Sequence, residues 1–161
     1  MPSWSVPTRS AEETRRLGQL LGKWVEAGMV VLLNGPLGAG KTCFAQGVAR
    51  GLGVPEQIPV TSPSYALLHI HAGRLDLYHF DLYRLSRVDD LEDLGYDEYA
   101  EGSGFTLVEW ANRLQTPLAA CLTIEIETLA DDQRLVRFAT GNAAGGQLLA
   151  AIKGAWEEGA R

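Results

Sequence analysis

Eight consecutive residues, Gly35 to Thr42, constrain the fold of this chain more than any others. They read GPLGAGKT and match the phosphate-loop pattern G-x-x-x-x-G-K-[ST] at every fixed position. Residues 29–34, just before them, are apolar and partly β-branched, which predicts a buried parallel strand. Residues 43–52 repeat apolar side chains at four-residue spacing, as a helix facing a sheet does. A phosphate loop between a strand and a helix indicates a nucleoside triphosphate site.

The residue types of this loop suit phosphate. Glycine lets the backbone come close to phosphate oxygens, and N–H groups at a helix N-terminus point toward an anion. We expect Lys41 to reach the β- and γ-phosphates and the Thr42 hydroxyl to ligate Mg²⁺. Cys43 is open to two interpretations, a reactive thiol or a small residue packed under the loop. The loop residues expected to bind nucleotide are Gly35, Gly38, Ala39, Gly40, Lys41, Thr42 and Cys43.

Length and composition narrow the class of protein. The chain has 161 residues, 46% of them hydrophobic, which suits one α/β domain over residues 1–161. Its formal net charge of −6 disfavours tight binding to nucleic acid, because that affinity comes largely from lysine and arginine. The two cysteines form no C-x-x-C pattern and are too few for a disulfide framework. No signal-peptide pattern or membrane-length apolar run is present, so we expect a cytoplasmic protein.

A helix is predicted to begin at Ser10. Ser10 and Glu13 form a capping box, in which each side chain bonds a free backbone N–H of the first turn. The helix is expected to end near Gly28. Polar residues around Ser10 and Thr14 could line a nucleotide pocket. The apolar stripe predicted to pack in the core is Leu17, Leu20, Leu21, Trp24 and Val25.

Residues 53–64 are predicted to form an extended loop. They include three prolines, which exclude regular helix and stiffen the backbone. The end of the segment carries the hydroxyl groups of Thr61, Ser62 and Ser64. Two interpretations stay open, a plain connector or a segment that senses the γ-phosphate as a switch does.

Two strands, 65–71 and 74–81, are predicted to form a hairpin. His69 and His71 share one face of the first strand, a spacing that suits either a metal site or a solvent-facing surface. We favour the surface, because no third ligand lies nearby in the sequence.

Two acidic residues end apolar strands and are candidates for a Mg²⁺ ligand of the Walker B kind. They are Asp81 and Glu109, the latter closing the strand 105–109. The pattern favours Glu109, because a helical turn follows its strand and indicates a central position, whereas Asp81 belongs to the hairpin.

The other elements predicted from the pattern are helical turns and a second antiparallel pair. Acidic residues 89–94 favour a short helix with a solvated or partner-binding face, and residues 95–100 continue as a helical turn. Residues 121–128 and 133–140 alternate apolar and polar side chains, as half-exposed strands do. Residues 145–158 predict a C-terminal helix.

Several classes of protein share a phosphate loop. A GTPase would need an N/T-K-x-D segment to read guanine, and none is present, so ATP is favoured. A small-molecule kinase would need an arginine-bearing lid, for which Arg84 and Arg87 are available, and an acceptor pocket. A nucleotide-gated binding module with little turnover is a third possibility. The hydroxyl-rich loop and acidic strand ends, without an evident acceptor site, favour hydrolysis or gating.

Four motifs together carry a family resemblance. GPLGAGKT is followed by TSPSY at 61–65, HFDLYRL at 79–85 and VEW at 108–110. In order and spacing they resemble the bacterial TsaE (YjeE) family, ATPases required for threonylcarbamoyladenosine modification of tRNA. The resemblance extends from the Ser10 helix to the turn at Asp131 and Asp132.

This resemblance implies a three-layer P-loop NTPase-like fold, with a mixed, mainly parallel central sheet and antiparallel hairpin additions. It implies ATP and Mg²⁺ as ligands, TsaD and TsaB as partners that stimulate a weak ATPase, and tRNA, modified at N6 of the adenosine next to the anticodon, contacted only through those partners.

The resemblance also implies roles for individual residues. Lys41 would contact phosphate and act in catalysis with Asp81, and Thr61 would act from a switch-like loop that includes Ser62. Thr42 and Glu109 would hold Mg²⁺. The start of the Ser10 helix and Arg134 would approach the nucleotide. The sequence departs from the usual family loop, G-D-L-G-A-G-K-T-T, at Pro36 and Cys43, and Pro36 removes one N–H from the loop.

Overall fold

A computed structural model describes residues 2–85 and 88–159 of the chain. Within these residues lie seven strands, five α-helices and one short 3₁₀ helix. The strands are β1 (Ser3–Thr8), β2 (Val30–Asn34), β3 (Leu68–His71), β4 (Leu77–Asp81), β5 (Phe105–Glu109), β6 (Leu122–Thr128) and β7 (Arg134–Thr140). The helices are α1 (Ala11–Trp24), α2 (Lys41–Gly51), α3 (Val88–Asp93), α4 (Tyr96–Ala100), α5 (Ala143–Gly159) and the 3₁₀ helix Ala111–Arg113.

The strands form one sheet in the order β1-β7-β6-β2-β5-β4-β3. The four central strands, β6, β2, β5 and β4, run parallel, and β1, β7 and β3 add to them in antiparallel fashion. The predicted mixed sheet with a parallel centre and antiparallel additions is therefore confirmed.

Both faces of strand β2 are buried, as a parallel strand between helices requires. Val31 and Leu33 belong to the core formed with α1, α2 and α5. Val30 and Leu32 point to the opposite core, which contains residues of α3 and α4. The sheet therefore lies between two layers of helices, which are the three layers of the predicted fold. The phosphate loop follows directly after a strand that is buried on both faces.

Helices α1 and α2 pack with their backbones close together. Glycines stand on the facing sides at Gly18 and Gly22 of α1 and at Gly47 and Gly51 of α2. A Cβ atom added to Gly47 would lie 2.0 Å from the backbone oxygen of Arg15. Only glycine allows this approach, which brings the start of α1 beside the phosphate loop.

The N-terminal region differs from the prediction at two points. Strand β1 was not predicted, because Pro7 interrupts the pattern; proline is tolerated here since β1 is an edge strand. Helix α1 ends at Trp24 and not near Gly28, and the N–H of Val25 caps it through the Leu21 carbonyl. Trp24, expected in the core, is 44% exposed.

Strand β4 has two neighbours. It forms the predicted hairpin with β3 and also pairs in parallel with β5, where Asp81 lies opposite Glu109. Asp81 therefore belongs to the parallel part of the sheet, contrary to the prediction. Hairpin membership does not exclude a strand from the parallel centre when its second edge is free to pair.

Three further expectations concern the surface. His69 and His71 lie on one face of β3 with ring centroids 6.0 Å apart, and residues 2–85 and 88–159 contain no cluster of three or more His, Cys, Asp or Glu suited to a metal. The helix at 89–94 is present as α3, although the side chains of Asp89 and Asp90 lie outside the described residues. Over the same ranges, no helix combines the length and apolar character needed to cross a membrane.

Candidate functional site

A cleft of about 380 Å³ lies at the carboxyl ends of the parallel strands β2, β5 and β4. Ligand sites of open α/β sheets occur at this edge, because the loops after the strands diverge there. The lining residues are Ala11, Pro36, Leu37, Gly38, Ala39, Gly40, Lys41, Thr42, Cys43, Ser62, Ser64, Asp81, Glu109, Trp110, Asp132 and Arg134.

The phosphate loop depends on glycine at two positions. Gly40 precedes α2 with φ of 101°, in the left-handed region that favours glycine. A Cβ atom at Gly35 would lie 2.7 Å from the carbonyl oxygen of Ile126 on the neighbouring strand β6. These two glycines let the loop turn tightly, so that the N-terminus of α2 faces the cleft.

Lys41, the first residue of α2, is 6% exposed. Its ammonium donates to the carbonyl oxygens of Gly35 and, at 3.3 Å, of Pro36. The same nitrogen lies 3.8 Å from the ring centroid of Trp110, a cation–π contact. Burial lowers the pKa of Lys41, while the charges of Glu109 and Asp81 oppose that shift. The two carbonyl oxygens carry only partial negative charge. An anionic ligand would balance the charge of the Lys41 ammonium more fully.

Thr42, Ser62 and Glu109 form a chain of hydrogen bonds across the cleft. The Thr42 and Ser62 hydroxyl oxygens are 3.0 Å apart. Ser62 Oγ lies 3.2 Å from Oε1 and 3.0 Å from Oε2 of Glu109. A carboxylate only accepts, so Ser62 donates to Glu109 and Thr42 donates to Ser62. Three elements distant in sequence thus meet within hydrogen-bond reach.

Glu109 has a second partner behind the cleft. His79 Nε2 lies 2.5 Å from Glu109 Oε2, and both side chains are buried. The two residues stand on adjacent parallel strands, β4 and β5, on the sheet face that packs against α2.

Asp81 is held by different partners. Its Oδ2 accepts from the Ser64 hydroxyl at 3.0 Å, and its Oδ1 accepts from the Tyr83 N–H at 2.9 Å. Burial raises the pKa of Asp81, and the nearby charge of Glu109 raises it further. The hydrogen bonds from Tyr83 and Ser64 oppose that increase. The result is a carboxylate that accepts a proton more readily than an ordinary aspartate.

Arg134, on strand β7, donates hydrogen bonds to backbone carbonyl groups of the phosphate loop. Its Nε donates to the Ala39 carbonyl at 2.8 Å, and a terminal nitrogen donates to the Gly38 carbonyl at 3.3 Å. The other terminal nitrogen bonds the carbonyl groups of Asp131 and Gln133. The guanidinium therefore ties the β6–β7 turn to the loop.

Most residues proposed from the sequence meet in the cleft. Four of the residues assigned to the nucleotide site do not line it: Ser10, Thr14, Gly35 and Thr61. Ser10 caps α1 through its hydroxyl, which accepts from the Glu13 N–H at 3.1 Å, and its neighbour Ala11 reaches the cleft instead. Gly35 contributes only its carbonyl to Lys41. Thr61 is exposed. In the same loop, residues 53–64, it is the Ser62 hydroxyl that hydrogen-bonds to Thr42 and Glu109.

Sequence reasoning missed three contributors: His79, Trp110 and Asp132. His79 could have been found, since it is two residues before Asp81 on one strand and so shares its face. No local pattern predicts that the Trp110 ring covers Lys41, because Trp110 takes a left-handed backbone conformation, φ 60°. Arg87, proposed for a kinase lid, lies outside the described residues, and Arg84 packs over the exposed ring of Tyr65.

The donor set at Thr42, Ser62 and Glu109 consists of oxygen atoms, which is the chemistry that Mg²⁺ prefers. Mg²⁺ in nucleotide sites usually keeps several waters and takes only one or two protein ligands besides phosphate oxygens. These residues therefore fit Mg²⁺, and Lys41 with the N-terminus of α2 fits phosphate.

The three-layer arrangement of helices and sheet, with the GPLGAGKT loop between the central strand β2 and α2, defines an α/β domain with a P-loop NTPase-like fold. Within that class, the chain belongs to the TsaE family, since the family model described as threonylcarbamoyl adenosine biosynthesis protein TsaE matches residues 8–136. The family takes part in threonylcarbamoyladenosine biosynthesis on tRNA.

Individual relatives agree with this assignment. The tRNA threonylcarbamoyladenosine biosynthesis protein TsaE of Treponema pallidum (strain Nichols) is 44% identical over 133 residues, 82% of this chain and 97% of that protein. Its counterpart in Bacillus subtilis (strain 168) is 42% identical over 138 residues, 84% and 85% of the two chains. The crystal structure of Bacillus subtilis YdiB superposes with a TM-score of 0.76 at 32% identity, covering 94% of this chain and 95% of that one. The predicted resemblance and fold are thus confirmed.

Proposed function

We propose that this protein binds Mg·ATP and hydrolyses it slowly, in support of threonylcarbamoyladenosine formation on tRNA. The observation that carries the proposal is the convergence of Lys41, Thr42, Asp81 and Glu109 on one cleft. The chain supplies a cation for phosphate, oxygen ligands for a metal and a second carboxylate with a raised pKa. The missing guanine signature favours ATP over GTP.

Each residue has a physical role in this proposal. Lys41 exchanges its bonds to the Gly35 and Pro36 carbonyls for phosphate oxygens. Thr42 and Glu109 would hold Mg²⁺, and the bound ion would supply positive charge to the phosphates. Asp81 orients the attacking water and accepts its proton, a task that its raised pKa favours. Arg134 keeps the loop in place through its bonds to loop carbonyls.

The proposal assigns the partners by family membership and charge. TsaD and TsaB are the partners that would stimulate turnover. The net charge of −6 supports contact with tRNA through these partners and not through this chain. A cytoplasmic site of action follows from this role.

Lys41→Ala tests the proposal directly. Loss of the ammonium should weaken Mg·ATP binding at least tenfold, because the phosphates lose their buried countercharge. The measurement is calorimetric titration with ATP and excess Mg²⁺, together with release of labelled phosphate with and without TsaD–TsaB. Lys23→Ala, on the exposed end of α1, is the control and should bind as the unmodified protein does.

Three outcomes would contradict the proposal. Normal ATP binding by Lys41→Ala would show that ATP does not bind at the phosphate loop. Transfer of the label to an organic acceptor would make the protein a kinase. ATP-dependent binding to TsaD–TsaB without any phosphate release would make it a gating module.

A further inference from the structure

His79 is a fully buried polar residue at the back of the cleft, on an internal strand. Its Nε2 is 2.5 Å from Glu109 Oε2. Because two facing acceptors would repel each other, Nε2 carries the proton and donates it to the carboxylate. Nδ1 is buried and has no hydrogen-bond partner within the described residues, so the contact to Glu109 is the one that fixes the ring.

The two contacts of Glu109 differ in how easily they can change. Ser62 stands on the proline-rich loop, and its hydroxyl is shared between Thr42 and both oxygens of Glu109. His79 stands between β3 and β5 in the sheet and bonds only Oε2. If Ser62 exchanges its bonds when a ligand enters, the histidine still holds Oε2, and Oε1, whose hydrogen bond came from Ser62, becomes available to a cation.

We propose that His79 is a positioning residue that orients the Glu109 carboxylate for a divalent cation. The inference rests on the proposed function, because it concerns the metal side of the same site. Outer partners of this kind commonly change metal affinity by about 10- to 100-fold when removed. His79 itself touches neither nucleotide nor metal in this proposal, so its removal should act on cation affinity more than on nucleotide affinity.

The test is Mn²⁺ binding to His79→Leu in the presence of a non-hydrolysable ATP analogue, with free Mn²⁺ counted by electron paramagnetic resonance. We expect the Mn²⁺ dissociation constant to rise at least tenfold. Binding of the analogue in EDTA should change less than twofold, since Lys41 and the loop are untouched. His79→Gln places an amide N–H near the position of Nε2 and should restore most of the Mn²⁺ affinity.

His69→Leu is the matched control, because His69 pairs with His79 across the β3–β4 ladder and bonds no carboxylate in the described hydrogen-bond network. It should keep normal Mn²⁺ affinity. In a Glu109→Gln background, adding His79→Leu should have no further effect, since the carboxylate on which it acts is gone.

The results separate the inference from the proposed function. Unchanged Mn²⁺ affinity in His79→Leu, or equal losses with Mn²⁺ and in EDTA, would overturn the positioning role while leaving the ATP site intact. If His79→Leu does not fold, His79→Gln decides, and a tenfold loss there despite its amide N–H would also count against the hydrogen bond. Absence of Mn²⁺ binding by the unmodified protein with the analogue would overturn both.

Discussion

Asp81 and Glu109 are buried carboxylates paired across two parallel strands, yet their surroundings give them different properties. Glu109 accepts hydrogen bonds from Ser62 and His79. Asp81 accepts from Ser64 and a backbone N–H, and its pKa is raised, chiefly by burial. An ionised Asp81 therefore lowers the stability of the nucleotide-free protein.

Asp81→Asn should separate stability from turnover. The folded-state pKa of Asp81 lies above its ordinary value of 3.8, so the unmodified protein gains stability from this group only as pH falls through the folded pKa. At pH 7 the neutral amide avoids the burial cost, and the variant should melt at a higher temperature. Phosphate release should fall at least about 100-fold, while Mg·ATP binding remains.

Scanning calorimetry over a series of pH values below 7 checks the stability part of this prediction. The advantage of the variant should shrink as pH falls through the raised pKa of Asp81, because protonation then relieves the same cost in the unmodified protein. A lower melting temperature for Asp81→Asn at pH 7 would contradict it.

At the residue scale, the sequence could predict what is local. The phosphate loop is continuous in the chain, so the sequence could predict that Lys41 and Thr42 lie together in the cleft. The position of Thr61 was not predictable, because the path of a loop with three prolines decides whether Thr61 or Ser62 faces inward. The contact between Lys41 and Trp110 joins distant segments and leaves no local pattern.

At the element scale, the α1–α2 contact controls the geometry of the cleft. The facing glycines bring the helices into backbone contact, so that Ala11 of α1 and Lys41 of α2 line one cavity. A larger residue in this contact would separate the helices and widen the cleft.

Gly47→Ala should destabilise the fold. The new methyl group would lie 2.0 Å from the Arg15 carbonyl oxygen, and such overpacking typically costs about 1–3 kcal/mol. Gly154→Ala is the matched control on α5, where a Cβ meets nothing within 4 Å; it should stabilise the helix by about 0.5–1 kcal/mol. Urea unfolding followed by circular dichroism measures both, and a neutral Gly47→Ala would show that the helices can separate at no cost.

Periodicity predicted most elements because helices and buried strands have distinct repeats. It failed for β1, where pairing with β7 outweighs the low strand preference of proline. It also misjudged β4, since pairing partners are a property of the whole sheet.

At the scale of the whole molecule, the site joins elements from most of the chain, from Ala11 to Arg134. A ligand that binds this cleft stabilises every element that contributes to it, because binding requires the folded state. Stability and ligand concentration are therefore linked.

Mg·ATP should raise the unfolding temperature. At a free concentration of 100 times the dissociation constant, the added stability is about 2.7 kcal/mol. GTP at the same concentration should give a clearly smaller shift, because no guanine-reading segment is present in the sequence. Thermal unfolding followed by circular dichroism compares the two nucleotides, and equal shifts would contradict the preference for ATP.

The order of strands in the sheet has a consequence for synthesis of the chain. Strand β2 is made early, but its two neighbours, β5 and β6, begin only at Phe105 and Leu122. During translation the future central strand therefore leaves the ribosome with both edges unpaired and four apolar residues, Val30 to Leu33. Such an edge readily pairs with other chains, so the nascent protein is most prone to aggregate before the second half of its sheet has been made.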